Sequence, residues 1–172
     1  MATKTRLKML VAVTLVCIMT VLCSCVKTGG MVPETDDNRI ESFLNVYMKQ
    51  CKYEEKDWDH VLKLQFNGDE EKFQRWIGTF MKQVSDDCRN QLLNQDLVPN
   101  THFKDSWASG WDLVSIEKSE NDPENSYFAK VELKGNNRER RARIEFTMEG
   151  EGKNRRIDEV NLDPLNQALV FE

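Results

Sequence analysis

Tyr127-Phe-Ala-Lys-Val-Glu-Leu133 and Ala142-Arg-Ile-Glu-Phe-Thr-Met148 are the stretches that decide the fold. In the first, Tyr127, Ala129, Val131 and Leu133 alternate with Lys130, Glu132 and Lys134. In the second, Ala142, Ile144, Phe146 and Met148 alternate with Arg141, Arg143, Glu145 and Thr147. A period of two with one oily face marks half-buried antiparallel strands. Between them lies Gly135-Asn136-Asn137, and Gly and Asn tolerate the positive φ that tight hairpins require. Working outward, Trp111 to Lys118 reads as an earlier strand, with Val114 and Ile116 on one face and Trp111 and Leu113 on the other. Arg155 to Leu162 reads as a fourth, less regular one carrying Ile157, Val160 and Leu162. Asn121-Asp-Pro-Glu-Asn125 and Gly150-Glu-Gly-Lys-Asn154 supply the other turns.

Upstream of this meander the apolar period is 3.6. Ile40, Phe43, Leu44, Tyr47, Met48 and Cys51 form one stripe, which predicts a helix over Asp37 to Lys52 with Thr35, Asp36 or Asp37 as N-cap. Asp57 to Phe66 predicts a shorter helix with Trp58, Val61, Leu62 and Phe66 on one face. After Asn67-Gly68, Asp69 can cap a long helix whose stripe runs Phe73, Trp76, Ile77, Phe80, Met81, Val84, Cys88 and Leu92, with Pro99 as its outer limit. The fold class expected is α+β: two to three N-terminal helices packed on a curved, cone-like, four-stranded antiparallel sheet.

The first residues carry an address. Lys4, Arg6 and Lys8 precede a run from Met9 to Leu22 that is apolar apart from Thr14 and Thr20. That is a basic region followed by an apolar segment short of the ~20 residues a membrane span needs. Leu22-Cys23-Ser24-Cys25 then resembles the lipobox of bacterial lipoproteins, with Leu22 at −3, Ser24 at −1 and Cys25 as the acylated thiol. The alternatives are an ordinary secretory signal or an uncleaved anchor. The resemblance implies a signal peptide at 1–24, a lipidated tether at 25–36 and one domain at 37–172. It also implies attachment to the outer membrane through Cys25. No acidic cluster follows Cys25, and this favours a periplasm-facing location.

Charge narrows the partners. The formal net charge is −5, and removal of the basic leader makes the remainder more acidic. Nucleic acid is excluded as an expected partner, because its affinity comes mainly from phosphate neutralisation. Acyl chains rather than the protein surface must supply membrane affinity. Of five cysteines, Cys17 and Cys23 leave with the leader and Cys25 takes lipid. Cys51 and Cys88 remain in an oxidising compartment, where a disulfide is expected, worth roughly 4 kcal/mol in the chain-entropy model. Two buried free thiols are the alternative.

Helices followed by a curled antiparallel sheet, over roughly Asp37 to Leu162, resemble the nuclear-transport-factor-2-like (cystatin-like) superfamily, nearest to its uncharacterised exported lipoproteins. The strand Tyr127 to Leu133 and the closing strand with Ile157-Asp158 carry this likeness. It implies a cone that can enclose a pocket between sheet and helix.

Catalytic chemistry is poorly provided for. His60 reads as an exposed helical side chain, while His102, just past Pro99-Asn100, is the better site candidate. Cys51, Cys88, His60 and His102 lack the close ligand pairing of zinc modules, and both thiols lie on core stripes that blunt nucleophilicity. There is no Gly-x-Ser-x-Gly, phosphate loop or His-Glu-x-x-His. The carboxylate pairs Asp36-Asp37, Glu54-Glu55, Glu70-Glu71 and Asp86-Asp87 fit helix starts and solvated faces. Asp122-Pro-Glu-Asn has too few ligands for a calcium loop.

Two features suit binding. Arg141 and Arg143 share a strand face that is either a salt-bridged, solvated surface or a contact for an acidic partner. Trp107 and Trp111 flank Ala108-Ser109-Gly110, where a glycine signals a bulge or close approach; they either line a cone mouth or belong to the core. The expectation is a monomeric, non-enzymatic envelope lipoprotein without a cofactor. It would act as a protein-binding module, in one version an immunity protein against a toxin delivered to the periplasm. The alternative is a small-ligand carrier or sensor with Trp107, Trp111, Tyr127 and Phe128 around an internal pocket.

Overall fold

The computed structural model describes residues 35–66 and 70–170. Four antiparallel strands, β1 (Gly110–Lys118), β2 (Ser126–Gly135), β3 (Arg138–Glu149) and β4 (Arg156–Asn161), form one sheet in the order β1-β2-β3-β4. In register, Tyr127 faces Phe146, Ala129 faces Ile144, and Val131 faces Ala142, so the two decisive stretches lay their apolar sides on the same face. The β2–β3 turn places Asn136 and Asn137 at φ 48° and 58°, the left-handed region that asparagine tolerates.

Two bulges bend the sheet. Leu113 pairs with Val131 and Ser115 with Lys130, which leaves Val114 as the extra residue. The phase of β1 shifts there, so Trp111, Leu113 and Ile116 all pack on the core, while Val114 points to solvent at 50% exposure. Strict alternation had put Val114 and Ile116 together, and the bulge is the physical reason they part. On the other edge Asp158 is the extra residue between the Thr147–Glu159 and Met148–Ile157 pairs.

Helix α1 (Asp36–Tyr47) lies on the inner face and continues as a 3₁₀ turn over Met48–Lys52. Thr35 is its N-cap, accepting from the Asn38 N–H at 3.2 Å. Phe43 stacks on Tyr47 with centroids 5.3 Å apart and meets Phe146 of β3 edge-on at 5.9 Å. Next come α2 (Glu55–Phe66) and α3 (Glu70–Phe80), which pack on each other. Trp58 and Val61 of α2 are buried, but Phe66, expected on the same face, is 75% exposed at the helix end.

The long third helix expected from the stripe is two helices, α3 and α4 (Asp86–Asn94). Between them the chain leaves helical geometry to pair with β4: Ile157 N–H donates to the Gln83 carbonyl at 3.0 Å, and Ser85 N–H donates to the Ile157 carbonyl at 2.8 Å. Ser85 then caps α4, its Oγ accepting from the Cys88 N–H at 3.0 Å and donating to Asp158 Oδ1 at 2.9 Å. Phe73, Ile77, Met81, Val84, Cys88 and Leu92 stay buried across the break. A short helix α5 (Asp163–Leu169), started by Pro164 in its first turn, follows β4 and seals the core with Leu165 and Leu169.

Candidate functional site

The described helices cover the inner face of the sheet, and the opposite face carries the polar positions of β1, β2 and β3. Cross-strand ion pairs knit it: Lys134 Nζ to Asp112 at 2.6 Å, Lys130 Nζ to Glu117 at 2.7 Å, and Arg141 Nε to Glu132 at 3.0 Å. Exposed pairs of this kind contribute about 0.2–1 kcal/mol each, so they fix side-chain positions more than they stabilise the fold. The Lys130 contact, helped by Ser115, holds the Glu117 carboxyl below its ordinary pKa. Arg141 is therefore matched within the sheet. Arg143, exposed and on the same face, forms no ion pair among the described residues; its guanidinium lies 3.6 Å over the ring of Phe128. That is close cation–π stacking, which presents a rigid basic and aromatic surface.

The four aromatics considered for an internal pocket do not gather around one. Trp107 is 3% exposed and donates its Nε1–H to the Ala168 carbonyl at 3.1 Å. Trp111 is half-buried against the core from β1. Tyr127 is buried, and its hydroxyl donates to Asp36 Oδ2 at 2.8 Å. Phe128, one residue on, stands on the opposite face with Arg143. Nor does Gly110 mark the close approach. A Cβ there would touch only the Lys134 carbonyl at 4.0 Å, whereas one on Gly135 would overlap the Trp107 carbonyl and come within 2.9 Å of Ser109 N.

Cys51 and Cys88 are free thiols, not a disulfide. The 3₁₀ turn holding Cys51 packs by β1 and α4 packs by β4. The two thiols thus sit on separate elements of the inner layer. Burial pushes the Cys51 thiol up to about 11 and the Cys88 thiol, with Asp158 and Glu159 adding to the effect, to about 12.

His60 is exposed on α2, and His102 lies in a 3₁₀ turn (Thr101–Phe103) at the lip of a surface cleft. A wholly buried residue that the sequence reading passed over, Asn100, holds this turn. Its N–H donates to Gln50 Oε1 at 2.8 Å, its Nδ2 donates to the Tyr47 hydroxyl at 3.0 Å and to Asn166 Oδ1 at 2.8 Å, and its Oδ1 accepts from the His102 N–H at 3.1 Å. Tyr47 in turn donates to the Leu97 carbonyl at 2.9 Å. Every polar atom of Asn100's side chain has a partner, the condition under which a buried polar network rigidifies rather than weakens a core. No local pattern advertises it, because its members lie 50 to 66 positions away.

Cys25, the leader and most of the tether lie outside the described residues. Among the described residues no helix is long and apolar enough to cross a membrane, and no three His, Cys, Asp or Glu side chains converge as a metal ion would need.

No family model matches the chain, and no curated protein matches it. A solved structure, a protein of unknown function from Bacteroides thetaiotaomicron VPI-5482, superposes with TM-score 0.46 at 13% identity, over 81% of this chain and 98% of that one. A likeness that distant says nothing about activity.

Proposed function

We propose that this is a lipid-anchored envelope protein of the nuclear-transport-factor-2-like kind, which acts without catalysis by binding a protein partner on the uncovered face of its sheet. The observation that carries the reading is the Arg143–Phe128 stack, 3.6 Å apart on a face that none of the described helices covers. Arginine and aromatic side chains anchor protein interfaces out of proportion to their number, and this pair is preset in its contact geometry. The complementary partner surface is acidic. Against an internal-pocket carrier stands the filling of the inner face: Ala129, Val131, Leu133, Ile144 and Phe146 have no exposed surface. An immunity role against a periplasm-delivered toxin is the specific version in which the partner is harmful on its own.

The test is affinity capture of the tagged full-length protein from native envelopes, with quantitative mass spectrometry, beside the R141E/R143E variant. A stoichiometric partner that the variant loses supports the sheet face as the interface. A partner retained equally by both removes that assignment, and toxicity of the isolated partner decides the immunity version.

A further inference from the structure

At the β4 edge the surface opens into a cleft of about 660 Å³, within the size range of small-molecule sites. Helix α4 provides Gln91 and Gln95 on one side, and the turn after it provides Leu97 and His102. The strands provide Glu145, Thr147, Glu159 and Asn161, and α5 provides Asp163 and Asn166. Three carboxylates thus line the cleft, and among the described residues that line it there is no lysine or arginine.

That imbalance is particular to this place. Asp112, Glu117 and Glu132, on the same sheet face, each hold a basic side chain at 2.6 to 3.0 Å. Glu145, Glu159 and Asp163 form no ion pair among the described residues. Thr147 pairs with Glu159 and Asn161 with Glu145, so the two glutamates are diagonal neighbours, about 7–8 Å apart by sheet geometry. Like charges at that spacing repel, and a concave wall lined by one sign of charge focuses the field they make.

The wall is also built rather than incidental. Buried Asn100 donates to Asn166 Oδ1 at 2.8 Å, which fixes the orientation of the Asn166 amide at the cleft. The same residue accepts from His102 N–H at 3.1 Å and so fixes the turn at the cleft lip. A network that orders two walls of a cleft spares a ligand the cost of ordering them.

We propose that this cleft binds a small polar organic cation, its ammonium groups met by Glu145, Glu159 and Asp163 and its hydrogen-bonding groups by the amides of Gln91, Gln95 and Asn166. The carboxylates are spread along the cleft and do not converge as a metal centre would, which matches an extended molecule with separated charges. The cleft adjoins the Arg143–Phe128 surface, since Glu145 faces Phe128 in register, but it offers different side chains to its ligand.

The experiment is titration calorimetry of the full chain in detergent with spermidine and glucosamine, and with sorbitol as a neutral polyol. Saturable binding of at least one of the two cations is expected, with none for sorbitol. The E145Q/E159Q variant should bind at least tenfold more weakly, while D112N/E117Q, on the same face, should bind as the parent does. No saturation with either cation overturns the proposal. So does equal binding by E145Q/E159Q and the parent, or equal weakening in both variants, which would mark diffuse charge attraction. Thermal melts of both variants confirm folding, and the titrations contain no protein partner, so neither result bears on partner capture at Arg141 and Arg143.

Discussion

The Asp36 carboxylate and the Arg155 guanidinium, 119 positions apart, meet with Arg155 Nε 2.8 Å from Asp36 Oδ1 and Oδ2. They join the first turn of α1 to the start of β4. Arg155 also donates to the Gly150 carbonyl at 3.1 Å and to the carbonyl of Glu124, so one side chain ties the β1–β2 and β3–β4 connections together. Asp36, placed in the tether by the sequence reading, is thereby part of the folded domain.

Arg155→Ala should therefore lower the unfolding free energy. Removing one partner of a largely buried pair costs about 3–5 kcal/mol. The side chains keep 20% and 13% exposure, so roughly 2–3 kcal/mol is expected. Arg155→Lys should recover less than half, because an ammonium lacks the guanidinium fork that reaches several acceptors. Urea unfolding monitored by tryptophan fluorescence measures both. A loss below about 0.5 kcal/mol for the alanine variant would show that the contact is only decorative.

Tyr127 shares the Asp36 carboxylate, and burial first, then the hydrogen bond and charge of Asp36, push its hydroxyl up to about 12 from 10.0. The folded state thus prefers the neutral phenol more than the unfolded chain does. This contribution is complete below pH 10 and is lost as pH rises from 10 through about 12, by roughly 2–3 kcal/mol at ~1.4 kcal/mol per pKa unit. Tyr127→Phe should lower stability at pH 8 by about 1 kcal/mol through the lost hydrogen bond. It should also show a shallower decline between pH 10 and 12. Parallel curves for parent and variant over that window would exclude the linkage.

How much of this was legible in the sequence depended on the range of the cause. Tyr127 to Leu133 and Ala142 to Met148 announced themselves because a period of two survives any tertiary context that buries one face. The break between α3 and α4 did not, since Met81, Val84 and Cys88 face the same core on both sides of it and the stripe runs through unbroken. Its local sign was Ser85-Asp86-Asp87, a capping residue followed by two acids. Val114 was misplaced because a bulge resets the phase without changing composition. The cleft was out of reach altogether: Asn100, Asn166 and Glu159 come together only once α4, β4 and α5 are assembled.

Gly135 supplies a sharper backbone test than Gly110. A Cβ at Gly135 would overlap the Trp107 carbonyl and approach Ser109 N to 2.9 Å and Ala108 Cα to 3.1 Å. All three are backbone atoms, so no side chain can swing aside, and Ser109 N–H meanwhile donates to the Lys134 carbonyl at 2.9 Å. Gly135→Ala should cost about 2–3 kcal/mol, in the range of overpacking where neighbours are fixed. Gly152→Ala serves as the comparison: no neighbour crowds it, and only its φ of 54° opposes a side chain. About 1 kcal/mol is expected there. A smaller loss at 135 than at 152, by differential scanning calorimetry, would reverse the ranking of close approach over backbone conformation.

The free thiols make the last prediction. With Cys51 at about 11 and Cys88 at about 12, only about one part in a thousand or fewer of each is thiolate at pH 8. An unperturbed cysteine near 8.5 is about a quarter ionised there. Iodoacetamide should therefore modify both at least 100-fold more slowly in the native protein than in 8 M urea, with Cys88, wholly buried, the slower of the two. Peptide mass spectrometry after timed quenching separates the sites. If neither reacts in urea until a reductant is added, the envelope has oxidised them.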